Sequence, residues 1–160
     1  MVALALGLLV LAGNAFAEKF DHTLAKSNPR TLFKSAANIG GPNHEVGVEM
    51  IRSDLTSSNP GFKVVEEWVY NQFDYVDGSG PHRGTFVDFH DDGSQTYGSY
   101  EGLQKTVANA DGSWVTAWEG KYRYSGGTGK YKNVKGGGTY KGKVTSTGEY
   151  SENEKETIEY

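Results

Sequence analysis

From Trp114 to Tyr124 the chain alternates in character at every step: Trp114, Thr116, Trp118, Tyr122 and Tyr124 fall on one face, and Val115, Ala117, Glu119, Lys121 and Arg123 on the other. A repeat of two is the mark of a β-strand, because successive side chains leave opposite faces of the backbone. One face is therefore read as buried and the other as wet. The remaining text agrees. Trp 3, Tyr 10 and Phe 7 make 20 aromatics, 17 of them from Phe62 onward, and 16 of the 22 glycines lie from Gly78 onward. The chain shows no amphipathic pattern long enough for a four-turn helix.

Val64 to Val76 carries neither Gly nor Pro and reads as a long strand, with Val65, Val69, Phe73 and Tyr75 on one face. Thr85 to His90 and Gln95 to Gln104 flank Asp91-Asp92-Gly93-Ser94, whose Asp-Gly pair supplies the positive φ of a tight hairpin. Gly126-Gly127-Thr128-Gly129 and Gly136-Gly137-Gly138 bracket a short element at 130–135, and a last long strand is expected over 139–150. The glycines are read as corners and as places of close backbone approach. The expected fold is all-β, a closed antiparallel β-barrel of about eight strands, since closure removes sheet edges; a two-sheet sandwich is the competing arrangement.

The 11-residue apolar run Val2 to Ala12, followed by Ala15-Phe16-Ala17, is too short to span a bilayer but matches the core and cleavage pattern of a signal peptide. The reading is a signal peptide over 1–17 and one barrel domain over 18–160, irregular over about 18–61 around a short strand candidate near Val46 to Ile51, in a secreted or periplasmic protein with no transmembrane segment after cleavage. Zero Cys neither supports nor opposes export.

The segments Trp118-Glu119-Gly120, Gly126-Gly127-Thr128-Gly129-Lys130-Tyr131 and Gly136-Gly137-Gly138-Thr139-Tyr140, with Tyr100-Glu101-Gly102 after the hairpin, resemble the allene oxide cyclase and dirigent-like barrels, including small secreted bacterial members of no assigned function. The resemblance covers roughly residues 64–150. It implies an eight-stranded barrel with a hydrophobic cavity; characterised relatives guide cyclisation or coupling of reactive hydrophobic intermediates and are often trimeric.

Glu101 and Glu67 are the candidate catalytic carboxylates. A carboxyl group turned into an apolar barrel has its pKa raised and suits proton transfer, whereas one on the outer face is a salt-bridged strand residue. Trp68, Tyr70, Asn71, Tyr97, Trp114 and Trp118 are candidate ligand contacts. Trp68 and Tyr70 lie opposite Glu67 in strand phase, so these residues do not all point inward. Asp88 and His90 share a face beside the hairpin, either as an oriented imidazole pair or as turn-capping residues.

Other chemistries lack their patterns. Gly129-Lys130 has Tyr124 where a phosphate loop needs Gly and Tyr131 where it needs Ser or Thr. The four His carry no metal-ligand spacing, no Gly-x-Ser-x-Gly elbow occurs, and no cofactor is implied. Sixteen basic against 20 acidic residues give a net charge of −4, so nucleic acid is not an expected partner. Between Lys121 and Thr147, however, seven basic residues stand without an acid and several alternate with tyrosines. Two functions follow: a barrel binding a small hydrophobic molecule, with isomerase or cyclase activity implied by the resemblance alone, or a non-catalytic secreted module whose basic, tyrosine-rich surface meets anionic glycans or proteins. Catalysis and homo-oligomerisation stay open.

Overall fold

The computed structural model describes residues 19–160; the signal-peptide reading over 1–17 lies outside them. Eight strands follow in order: β1 (Lys19–Asn38), β2 (His44–Ser57), β3 (Val64–Val76), β4 (Gly80–His90), β5 (Gln95–Ala108), β6 (Trp114–Gly127), β7 (Lys135–Thr145) and β8 (Tyr150–Glu159). Each pairs antiparallel with the next, and β8 returns to β1, closing the barrel. Thus the sheet has no edge where β1 faces β8. Beyond Lys26 β1 has outrun β8 and continues beside β2 alone, up to Asn38.

The hairpin between β4 and β5 forms as its Asp-Gly signal requires. Gly93 sits at φ 82°, the Asp92 side chain accepts the Ser94 N–H at 3.0 Å, and the His90 N–H reaches the Ser94 carbonyl at 3.0 Å. Two other expectations need correction. Residues 18–61 are not irregular: the short strand expected near 46–51 is part of the longer β2, and β1 precedes it, because their inward positions include His22, Lys26 and Ser53, whose polarity masks the two-residue repeat. The short element between the glycine clusters is one 3-10 turn, Gly129–Tyr131. The strand expected over 139–150 is instead β7, and the glutamate-rich tail is β8. In β3 a register shift between Val64 and Glu66 puts Val64 inside and leaves Val65 exposed.

One end of the barrel is filled. Phe62, from the loop before β3, is fully buried, and its ring meets those of His90 at 4.7 Å, Tyr131 at 5.0 Å and His22 at 5.4 Å. Leu24, Val64 and Ile158 complete this plug. Each such side chain contributes roughly 1.5–3 kcal/mol by leaving water.

Elsewhere inside, glycines stand directly beside large aromatics on neighbouring strands, so the close approach expected of them admits rings as well as backbone. Gly102 pairs with Gly120 and Gly120 with Tyr140, so the Tyr140 ring crosses two strands that have no Cβ and brings its hydroxyl 2.7 Å from His82 Nε2. Trp118 crosses Gly142 in the same way to reach Glu152 on β8, and Tyr100 crosses Gly84 to reach Asn71 on β3. A methyl group on Gly120 would overlap both the Tyr140 ring and the Glu101 carbonyl oxygen. Gly120→Ala is expected to cost roughly 1–3 kcal/mol, as overpacked interiors do, read as a lowered thermal midpoint.

Candidate functional site

Between the plug and the opposite mouth lies a cavity of about 220 Å³. Its walls include Tyr75, Tyr100, Trp118, Tyr140 and Tyr150, with Val69 and Phe86. Its mouth is marked by the exposed Pro29 and the half-buried Glu49, Gln104, Trp118 and Tyr150.

A cluster of charged groups in the lining is drawn from three strands. Lys26 on β1, with its side chain 8% exposed, places its ammonium 2.6 Å from Glu67 on β3 and 3.0 and 2.7 Å from Glu152 and Glu154 on β8. The register makes this cluster unavoidable: Lys26 pairs directly with Glu152, and Glu154 is the next inward residue of β8. Burial opposes the Lys26 charge, but attraction to Glu152, Glu154 and Glu67 outweighs it and holds its pKa well above the ordinary lysine value. Burial likewise opposes the Glu152 charge; Lys26, with hydrogen bonds from Tyr150 at 2.8 Å and Trp118 at 3.1 Å, overcomes it and lowers the pKa. At Glu67 burial prevails over Lys26 and pushes the carboxyl up to about 7. This is the poise of a group that both gives and takes a proton near neutrality.

Toward the plug lies a second polar group. The Thr96 hydroxyl links the Asp88 carboxyl at 3.0 Å to His90 Nε2 at 3.1 Å, all three buried. Glu156 accepts the hydroxyls of Tyr122 and Tyr124 at 2.6 and 2.8 Å. Burial pushes Glu156 up to about 8, with Asp88 also raised, and pushes His22 and His90 down to about 4. The Asp88/His90 pair is thus a buried network, not a solvated turn cap. Among the described residues no group of three or more His, Cys, Asp or Glu is arranged to hold a metal ion.

Of the residues singled out in the sequence, Glu67, Asn71 and Trp118 line the cavity. Glu101 does not: it stands on the outer wall, 64% exposed, paired with Lys121 at 2.9 Å, which lowers its pKa. The reason is phase, since its neighbours Tyr100 and Gly102 occupy the inward positions. Trp68 packs against Phe89 outside the barrel, while Tyr70 and Tyr97 are exposed. Trp114 is exposed at the start of β6, away from the cavity lining. The basic stretch is also divided by phase. Tyr122, Tyr124, Tyr131 and Tyr140 are buried, while Lys121, Lys130 and Lys141 pair with Glu101, Asp92 and Glu119. No stacking surface of alternating lysine and tyrosine results.

Sequence reasoning missed Lys26, His82, Glu152 and Glu154. The available signal was the alternation of Glu152, Glu154 and Glu156 with Ser151, Asn153 and Lys155, the period of a strand that presents acids to one face. No protein-family model and no curated protein matches the chain.

These shifts fix a pH profile. His22 and His90 resist protonation when folded, so stability is lost as pH falls below the ordinary histidine value of about 6.5. Glu67 and Glu156 keep protons that the unfolded chain has released, so stability falls as pH rises from the ordinary carboxyl value toward 7 and 8. The two trends oppose each other below pH 6.5, and only the carboxyl trend remains above it. The unfolding free energy from denaturant titration is expected to drop between pH 6.5 and 8.5, by on the order of 2 kcal/mol, and Glu156→Gln to remove most of that drop. Lys26→Met leaves buried carboxylates without their cation, and is expected to cost about 3–5 kcal/mol at pH 8 and less at pH 5 in the same measurement.

Proposed function

We propose that this chain is an exported barrel that binds a small, largely apolar molecule in its interior. The polar end of that molecule lies at the Lys26–Glu67–Glu152 cluster. The observation that carries the reading is the cavity itself: about 220 Å³, walled by aromatic rings and floored by ionisable groups at one end of an otherwise plugged barrel. Concave, mostly apolar spaces with a few convergent polar groups are the usual form of a small-molecule site. The resemblance of residues 64–150 to allene oxide cyclase-like barrels supports the same reading. If the bound molecule is isomerised, Glu67 is the group placed to move its proton, being buried, cavity-facing and held near neutrality. Glu101 has no part in it.

Solvent extraction of protein purified from the cell that makes it, followed by mass spectrometry beside a matched blank, tests the reading. One compound per chain is expected, and it is expected to be lost from Val69→Trp, in which an indole fills the cavity. An empty extract, or equal amounts from both proteins, goes against the proposal.

A further inference from the structure

The charge balance of the cavity narrows what it holds. Among the described residues its lining carries one cationic side chain, Lys26, and four carboxyl groups, Glu49, Glu67, Glu152 and Glu154. An ammonium has three N–H donors. The Lys26 ammonium is surrounded by three protein carboxyl groups at 2.6, 3.0 and 2.7 Å, and Glu67 Oε1 has no hydrogen-bond partner even so. An anionic ligand would therefore find no free cation in the cavity and would meet the field of the acids. Even with Glu67 half protonated, the carboxylates outnumber the single ammonium.

His82 provides an independent observation. It lines the cavity, is 7% exposed, and binds Tyr140 through Nε2, while its buried Nδ1 has no hydrogen-bond partner. Burial lowers its pKa, so the ring is neutral and adds no positive charge. In the tautomer that donates Nε2–H to the Tyr140 oxygen, Nδ1 offers a lone pair to a donor from the ligand. The Trp118, Tyr100, Tyr140 and Tyr150 rings add electron-rich faces, which attract cations most strongly where water is excluded.

We propose that the ligand is an organic cation, a primary ammonium group carried on a compact apolar or single-ring body. This rests on the small-molecule reading above and names its ligand class. The apolar body lies against the aromatic wall, and the ammonium supplies the positive charge and donors that the carboxylates and His82 Nδ1 leave unmet. Glu49, near the mouth and bound only to Asn71 at 3.0 Å, is the acid whose removal disturbs the fold least.

The test uses three probes of one shape: 2-phenylethylammonium, 2-phenylethanol and phenylacetate. Each is titrated into the barrel at pH 7.5 and low salt, with the Trp118 indole N–H resonance as reporter. The ammonium is expected to bind at least tenfold more tightly than the alcohol, and phenylacetate not at all. Glu49→Gln is expected to weaken the ammonium several-fold and leave the alcohol unchanged, with Glu101→Gln on the outer wall altering neither. Alcohol binding equal to or tighter than the ammonium, or binding of phenylacetate, overturns the cation assignment while leaving a small-molecule site in place. Failure of all three probes to bind overturns both readings.

Discussion

A single buried ammonium stands where the barrel closes. Lys26 lies on β1 at the last position that still pairs with β8, and the carboxyl groups around it come from β8 and from β3 across the interior. Each member of the cluster alone would be costly to bury, since an unpaired charge in such surroundings loses several kcal/mol of hydration. Together they tie the first strand, the last strand and the opposite wall to one register. A slip of one residue in β8 would turn Glu152 and Glu154 to solvent and leave Lys26 with Glu67 alone. Closure and charge are thus one constraint.

The second constraint is volume. Eight strands enclose little more than their own side chains, yet Tyr100, Trp118 and Tyr140 all point inward. They fit because glycines occupy the adjacent inward positions, letting each ring lie across a neighbouring strand and reach a polar partner beyond it. The arrangement removes rings from the barrel axis and leaves a cavity there. The plug at Phe62 shows the contrasting solution, in which rings converge edge to face and no space remains.

The all-β class, the long third strand and the Asp-Gly hairpin were legible because aromatic and β-branched residues fall there in runs free of Gly and Pro or bounded by turn residues. The first strand and the last were not, because their inward faces carry Lys26, His22 and Glu152 to Glu156, so hydrophobicity no longer reports direction, and of the second only 46–51 was legible. Glu67 and Glu101 looked equivalent in the sequence, as carboxylates beside aromatics. Strand phase alone separates them, and phase is a property of pairing that no single strand reveals. Lys26 joins Glu152 across 126 positions of sequence, since 152 − 26 = 126, a separation that no local pattern encodes.

The polarity of this interior bears on why the cavity exists. Replacing a buried ion cluster by apolar residues of similar volume is often neutral or stabilising, so stability alone gives little reason to retain Lys26 and three carboxyl groups in a barrel that packs its other end with Phe62, Leu24 and Ile158. Register explains part of the cluster, since one pair across the seam would fix it. It does not explain Glu67, which comes from the opposite wall, keeps a raised pKa at the expense of stability, and faces the cavity rather than the plug. A chain that closes one end with Phe62, Leu24 and Ile158 and leaves the other acidic, aromatic and open has the division expected of a support and a site. Glu67, whose raised pKa costs the fold stability as pH rises toward 7, stands on the side of the site.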